Sequence, residues 1–229
     1  MKERHFYGYV TAFLSCLLTL YFVSFSSSIR PTENAELNAT LERSVNGRAA
    51  VVIIRVEDTT GEPTKYLVQR KSIDYPIKPF QNAVCLFGGN AELTDKEPME
   101  TLTRELGEEL PPNFVHALLH SSNLTFLGSS MNMQTAEMLG KTEPYSFLCA
   151  CYEARISLNQ FQNSFPNQDI NEGTHALLTK NQLLEDEKYA WGYDFIMSDY
   201  FGQPVKRFCD GVTVTKVDND KLKDWIPVA

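Results

Sequence analysis

Three glutamates, Glu105, Glu108 and Glu109, lie close together in the middle of this chain. Their spacing of three and four residues would place them on one side of a helix, with Cβ atoms about 5–6 Å apart. Ionised carboxylates this close repel one another, which costs stability unless a cation lies among them. Mg²⁺ prefers oxygen ligands and often binds through carboxylates together with substrate phosphates. The spacing therefore indicates either a magnesium site or an ordinary solvent-exposed helix face.

The helix that would carry these acids is marked at both ends. Pro98 fits its first turn, where the missing N–H costs nothing, with Glu97 or a neighbour as its cap. Pro111 and Pro112 would stop it. Leucines at four-residue spacing give it one apolar stripe: Leu102, Leu106 and Leu110. Because this stripe would pack inwards, the acids would remain accessible on the rest of the helix.

Apolar, β-branched segments before and after this helix predict a sheet. Before it, strands are predicted at residues 49–56, 66–70 and 82–87. The first two would form a hairpin, and Gly88 and Gly89 would end the third. After the helix, two strands and two helices are predicted at residues 124–129, 145–156, 180–187 and 191–200. This alternation predicts an α/β sandwich with a mixed sheet rather than a doubly wound one.

The segment that contains the glutamates resembles a known motif. Residues 87–111 are similar to the Nudix box, whose pattern is GX5EX7REUXEEXGU, where U is a bulky apolar residue. Residues 104–109, Arg-Glu-Leu-Gly-Glu-Glu, match the REUXEE core in full. Gly88 and Gly89 precede the core at nearly the expected distance, and Glu92 stands where the family is often acidic. We therefore interpret this segment as a Nudix box.

Three departures from the pattern bear on activity. One extra residue separates Gly89 from Arg104, which places Lys96 where the pattern has glutamate. Asp95 and Glu97 are the candidates to replace that glutamate. Pro111 stands in place of the glycine that follows the Glu-Glu pair. These changes should alter loop packing more than cation binding, but they leave a catalytically inactive relative as an alternative.

The resemblance implies a function and a set of roles. Members of the family fold as α/β/α sandwiches, and most hydrolyse a nucleoside diphosphate linked to another moiety, using Mg²⁺ or Mn²⁺. The metal ligands would be Glu105, Glu108 and Glu109. The substrate would contact Phe87, Gly88 and Gly89, where the glycines allow a tight passage from strand to loop. The catalytic candidates are Arg104, Glu108, Glu109 and Glu172. The general base varies in the family, and both Glu109 and Glu172 are candidates for it.

The first residues of the chain have a different composition. Residues 6–25 are almost wholly apolar or small, and a helix of that length spans about 30 Å, the thickness of a hydrocarbon core. We predict four segments: a flank at 1–5, a membrane anchor or signal peptide at 6–28, a polar stalk at 29–47 and the hydrolase domain at 48–229. Lys2 and Arg4 favour a cytosolic N-terminus, with the body in the secretory lumen or outside the cell. A secreted protein after signal cleavage, or a buried soluble helix, are the alternatives.

Charge and cysteine content limit the partners. The net charge is −8 and no cluster of Lys and Arg is present, which argues against binding to a nucleic-acid backbone. The expected partners are a small nucleotide-like diphosphate and, through the N-terminal helix, a membrane. Cys149 and Cys151 would share one face of a strand, where we favour buried thiols over disulfides. The rival functions are an inactive, membrane-tethered nucleotide-binding module and a tethered structural protein.

Overall fold

The computed structural model describes most of the chain after its first segment. The described residues are 45–58, 63–120, 124–165, 173–185, 187–206 and 210–225. The predicted anchor or signal peptide, most of the predicted stalk, Cys16, Cys209 and Glu172 lie outside them. Among the described residues, no helix has both the length and the apolar character needed to cross a membrane.

The described residues form a mixed α/β fold. The strands are β1 (Gly47–Glu57), β2 (Lys65–Lys71), β3 (Val84–Cys85), β4 (Phe87–Asn90), β5 (Thr125–Gln134), β6 (Tyr145–Ser157), β7 (Gly173–Thr179) and β8 (Val212–Val217). The α-helices are α1 (Pro98–Glu109), α2 (Pro112–His120), α3 (Ala136–Leu139), α4 (Leu158–Ser164), α5 (Lys180–Glu185) and α6 (Tyr193–Phe201), and two short 3-10 helices span Lys78–Phe80 and Asn219–Asp224.

These strands belong to one mixed sheet. Its order is β3-β2-β1-β6-β5-β8, and in addition β4 pairs with β1 and β7 with β2. β1 and β6 run parallel along the full length of β1, from Gly47 opposite Phe147 to Glu57 opposite Ser157. The other named pairs are antiparallel. The mixed sheet predicted from the sequence is therefore present.

Helices cover both faces of the sheet. Alternate residues of β1 point to opposite faces, and both sets are buried, so residues 49–54 are a continuous apolar run. One face packs against α1, α2 and α4, with the leucine stripe of α1 in the core. The other packs against α5 and α6. α1 is thus fixed by its apolar side, as its leucine spacing predicts.

The third predicted strand, at residues 82–87, is divided in the structure. Its first part, β3, pairs with β2, whereas its second part, β4, pairs with β1. Gly88 and Gly89 lie within β4 and do not end it. Gly88 has a φ of +118°, and a Cβ there would clash with the backbone carbonyl of Ala50. Glycine at this position lets the chain change partners at close range to β1.

Other boundaries also differ from the predictions. Pro112 begins α2 directly after α1 ends, because the first turn of a helix tolerates proline. The last predicted helix begins at Tyr193, two residues later than expected, because Trp191 and Gly192 both have positive φ. β7 and β8 were not predicted. Cys85, Cys149 and Cys151 are buried and form no disulfide among the described residues, and burial raises the pKa of the Cys149 thiol well above its ordinary value.

Candidate active site

A cleft of about 660 Å³ opens where β4 leads towards α1. We call it the glutamate cleft. Ala49 and Phe147, near the amino ends of the parallel strands β1 and β6, lie at its base. Its acidic side is formed by Glu92, Glu105, Glu108 and Glu109. The remaining lining includes basic and aromatic residues: Lys71, Tyr75, Lys141, Tyr145, Trp191 and Tyr193. The three glutamates singled out by their spacing therefore line one cleft.

Arg104 ties two of these glutamates together. Its Nη1 lies 2.9 Å from Glu105 Oε1 and 3.2 Å from Glu108 Oε1. Its Nη2 donates to the Asn90 carbonyl at 2.6 Å. Burial alone would lower the pKa of Arg104, but its hydrogen bonds to carboxylates outweigh burial and raise the pKa. Arg104 is therefore a permanent cation that holds α1 side chains against β4.

Asp95 is the acid that faces Arg104. The structure places Asp95 Oδ2 3.1 Å from Arg104 Nη2 and 2.9 Å from the Glu92 nitrogen, which donates to it. Burial would raise the pKa of Asp95, but the hydrogen bonds from Glu92, Arg104 and Thr101 lower it below its ordinary value. Glu97 is instead the residue that precedes α1 and makes no side-chain cap. Of the two candidates to replace the glutamate of the pattern, Asp95 is the one that contacts Arg104.

Glu109 is held by β2 and β4 instead of by Arg104. Its Oε2 accepts a hydrogen bond from the Gly88 N–H at 2.9 Å, and its Oε1 accepts one from Gln69 Nε2 at 3.3 Å. Gln69 is fully buried, and its own Oε1 has no hydrogen-bond partner among the described residues. Sequence reasoning missed Gln69, which lies forty positions before Glu109. The pairing of β2 with β3, in which Gln69 lies opposite Cys85, brings it near.

The three residues predicted to contact substrate have different positions. A Cβ at Gly89 would clash with the Glu105 carboxylate, so glycine is what allows that carboxylate to approach β4. Gly88 lines the cleft as well and supplies its N–H to Glu109. Phe87 does not line the cleft: it is fully buried in the core beneath α1, because side chains alternate along β4. Substrate contact through Phe87 is therefore not supported.

Aromatic residues are divided between cleft and core. Tyr75 and Trp191 line the glutamate cleft. Phe80 is fully buried against Trp191, with ring centroids 4.6 Å apart.

Glu172, the second candidate for the general base, lies outside the described residues.

The donor atoms of the cleft suit a hard dication. Among the described residues, no three His, Cys, Asp or Glu side chains form a ready-made metal cluster. The acids are nevertheless all oxygen donors, and the side chain of Glu108 is 59% exposed and accessible to water. Mg²⁺ keeps several of its waters and uses only one or two carboxylates plus substrate phosphates. Four carboxylates face three cationic side chains in the lining, which leaves negative charge that a dication would neutralise.

Comparisons with known proteins gave matches only among solved structures. No family model matches this chain. No curated protein matches it. A mutT/nudix family protein from Listeria innocua is 12% identical with a TM-score of 0.47, and the match covers 70% of this chain and 94% of that one. The NUDIX domain of Shewanella oneidensis NrtR, complexed with ADP ribose, is 14% identical with a TM-score of 0.46, covering 79% and 96%.

A third match is Shewanella oneidensis NrtR complexed with a 27mer DNA. It is 15% identical with a TM-score of 0.46 and covers 66% of this chain. This chain spans only 58% of the length of that protein. The names of the first two matches contain the word Nudix. Identities and TM-scores this low support no conclusion about activity or partners, so any such conclusion depends on the residues of the cleft.

Proposed function

We propose that this chain is a Nudix-type hydrolase that uses Mg²⁺ or Mn²⁺ to cleave the diphosphate linkage of a nucleoside diphosphate joined to another moiety. The main support is that Glu105, Glu108 and Glu109 line one cleft beside Gly88 and Gly89. The resemblance of residues 104–109 to the core of the Nudix box supports the same reaction. A cation bound there would neutralise the diphosphate and lower the pKa of the attacking water.

Different groups in the cleft orient the three proposed metal ligands. Arg104 orients Glu105 and Glu108, and the Gly88 N–H with Gln69 orients Glu109. Orienting ligands in advance lets them meet a cation without reorganising. Glu109 and Glu172 remain the candidates to take the proton from water.

The basic and aromatic part of the lining suits the rest of the substrate. Lys71 and Lys141 would bind phosphate charge that the cation leaves unpaired. Tyr75 and Trp191 offer flat apolar surface to a nucleobase or similar ring. A cleft of about 660 Å³ is within the usual size for a small-molecule site.

The test uses the purified full-length chain with ADP-ribose, a nucleotide sugar and a dinucleoside polyphosphate, each with Mg²⁺ or Mn²⁺. Turnover should fall by more than about a hundredfold in Glu108→Gln, because residues that only orient a metal ligand already cost about 10–100-fold. Glu185→Gln is the matched control, since Glu185 is exposed on α5 and does not line the cleft.

Two outcomes would argue against the enzyme. Turnover that survives in Glu108→Gln would mean that the glutamate cleft is not the reaction site. Nucleotide binding without turnover under either cation would favour the alternative of an inactive nucleotide-binding module, and the absence of both would favour a structural protein.

The location of the protein is a separate part of this proposal. Residues 6–28 anchor the chain in a membrane with the domain facing the secretory lumen or the exterior, or they are removed as a signal peptide. Their uncharged composition supports this. Mass spectrometry of the mature N-terminus distinguishes the two, and a glycan on Asn38 would show the side of the membrane. An intact N-terminus in a protein that fractionates without membranes would overturn both.

A further inference from the structure

A second cleft, of about 760 Å³, lies on the same face of the sheet as the glutamate cleft. We call it the arginine cleft, after Arg55 and Arg155 in its lining. The two clefts lie towards opposite ends of α6. Tyr193, the first residue of α6, lines the glutamate cleft, whereas Tyr200 and Phe201, at the other end, line the arginine cleft.

The floor of the arginine cleft lies where the side chains of the parallel strands β1 and β6 change from apolar to charged. On this face, β1 presents Val51 and Ile53 and then Arg55, while β6 presents Cys149 and Cys151 and then Glu153 and Arg155. Arg55 is paired directly with Arg155. Apolar side chains of similar volume would usually stabilise a fold as well as a buried ion network does. The change to charged residues in both strands therefore favours a binding role over a purely structural one.

The two acids of this cleft, Glu153 and Asp199, already make hydrogen bonds or ion pairs within the protein. Glu153 is 3% exposed, and its carboxylate accepts hydrogen bonds from Arg155 Nη2 at 2.8 Å and from the Tyr200 hydroxyl at 2.5 Å. Burial would raise the pKa of Glu153, but these hydrogen bonds outweigh burial and lower the pKa. Asp199 Oδ1 lies 2.6 Å from Lys216 Nζ. Both acids therefore have cationic partners within the protein.

Cations outnumber acids in the arginine cleft. Its lining holds two acids, Glu153 and Asp199, and four cationic residues: Arg55, Arg155, Lys180 and Lys216. Arg55 Nε also pairs with Glu57 Oε1 at 2.9 Å, so the excess is one positive charge when Glu57 is included. This is unusual in a chain whose net charge is −8. The side chain of Arg155 is 49% exposed, so part of its guanidinium remains accessible. Lys180 Nζ lies 5.3 Å from the centroid of the Phe201 ring. The charge of this cleft therefore suits an anion.

The rest of the cleft is aromatic and apolar. Tyr66, Phe195, Tyr200 and Phe201 contribute rings to its lining. A β-bulge interrupts the pairing of β5 with β6 between Phe126 and Gly128. The residue at the bulge, Leu127, lines the cleft and is 43% exposed. Bulges often redirect a side chain beside a functional site, and an exposed leucine beside these rings provides an apolar surface for a ligand.

We propose that the arginine cleft binds a small organic anion, an aromatic ring that bears a phosphate or carboxylate group. The anionic group pairs with Lys180 and Arg155, and the ring packs against Phe201, Tyr200 and Leu127. Both halves of such a ligand are needed, because surface cations alone hold an anion weakly and the apolar wall has no charge selectivity.

The test titrates the full-length chain with phenyl phosphate and with benzoate by calorimetry, with EDTA present to remove divalent cations. The tighter of these two probes identifies the anionic group. Lys180→Glu should weaken its binding by about tenfold or more, since it replaces a charge-assisted hydrogen bond to the anion with repulsion. Inorganic phosphate and benzyl alcohol, which each lack one half of the ligand, should bind at least about tenfold more weakly.

Matched variants separate this cleft from other sites. Lys206→Glu makes the same charge change at an exposed lysine outside both clefts and should leave affinity unchanged. Lys180→Met keeps the proposal testable if the glutamate variant does not fold, and it should also weaken binding. The proposal fails if neither probe binds, if Lys180→Glu and Lys180→Met bind as tightly as wild type, or if only Lys141→Glu, in the glutamate cleft, weakens binding.

Discussion

The two clefts share one face of one sheet, yet they arrange charge in opposite ways. In the glutamate cleft four carboxylates face three cationic side chains, and Glu108 is largely open to water. In the arginine cleft two acids face four cationic residues, and Glu153 is buried. Both clefts contain glutamates, so the comparison shows that the charged side chains around a glutamate determine which ligand charge the cleft suits. A net excess of carboxylates in a lining suits a cation, whereas a net excess of cationic side chains suits an anion.

The largest expected effect comes from Glu109, on the acidic side of the comparison. Glu109→Gln should reduce Mn²⁺ affinity and turnover by more than about a hundredfold, because it removes a charged donor. The free energy of unfolding should change little, because relief of the repulsion among the three glutamates offsets the loss of one hydrogen-bond acceptor for Gly88 or Gln69. Electron paramagnetic resonance of Mn²⁺ and urea unfolding measure the two quantities. If Glu109→Gln bound Mn²⁺ as tightly as wild type, the proposal that the glutamate cleft binds a cation and the arginine cleft an anion would be contradicted.

A glycine substitution tests the geometry of the same cleft. In Gly89→Ala the new methyl group would occupy the space of the Glu105 carboxylate, so Mn²⁺ affinity should fall by up to about a hundredfold. Gly107→Ala is the control, since a Cβ there meets no described atom within 4 Å. That change lies within α1 and should stabilise the protein by about 0.8–1.0 kcal/mol. Equal Mn²⁺ affinity in both variants would show that the Glu105 position does not matter.

Glu153 tests the other side of the comparison. Glu153→Gln should lower the free energy of unfolding at neutral pH by about 1–3 kcal/mol, because Arg155 and Tyr200 lose a charged partner. Mn²⁺ affinity should not change.

This destabilisation should depend on pH. The pKa of Glu153 is lowered below its ordinary value of 4.5, so its contribution is complete above 4.5 and is lost as pH falls through the lowered pKa. Urea unfolding of wild type and variant, at neutral and acidic pH, measures the difference. A gap that stayed constant down to low pH would contradict the ionised network.

The smallest expected effect concerns Gln69, a residue of β2 that donates a hydrogen bond to Glu109 in the glutamate cleft. Gln69→Leu should reduce Mn²⁺ affinity by about tenfold, at the lower end of the range for groups that orient a ligand. Gln134→Leu is the matched control: Gln134 is equally buried, but neither atom of its side-chain amide has a hydrogen-bond partner among the described residues, whereas Gln69 donates to Glu109. If both variants reduced affinity alike, the effect would reflect general repacking.

Local signals made the acidic side of the glutamate cleft predictable. Pro98, the leucine stripe and residues 104–109 all lie within one helix and its flanks, so the sequence alone located α1 and its acids. The strands with continuous apolar runs, β1 and β6, were predicted for the same reason. The sequence did not show which strands, distant along the chain, pair with one another. The role of Gln69 depends on the pairing of β2 with β3, and the division of residues 82–87 depends on β3 pairing with β2 while β4 pairs with β1.

The arginine cleft was missed for a related reason. Arg55 and Glu153 look like ordinary polar ends of two strands until the β1–β6 register places Arg55 opposite Arg155. Glu153 is buried only because α6 covers this face of the sheet, and Tyr200 of α6 donates to it. β7 and β8 were missed because β7 has only three consecutive apolar residues and β8 has only alternating ones, which give a weaker signal than a long buried run does.

The parallel pairing of β1 with β6 has a consequence for the order of folding on the ribosome. Gly47 pairs with Phe147, and contacts so distant in sequence form slowly because a long loop must close. β4 and α1 are synthesised soon after β1, so the acidic wall can assemble on the nascent chain before β6 has been translated. The floor of the arginine cleft requires β6. The emerging molecule would therefore place its acidic helix beside β4 first, whereas the rest of the glutamate cleft, including Phe147 and Tyr193, and the floor of the arginine cleft would form only after β6 has been translated.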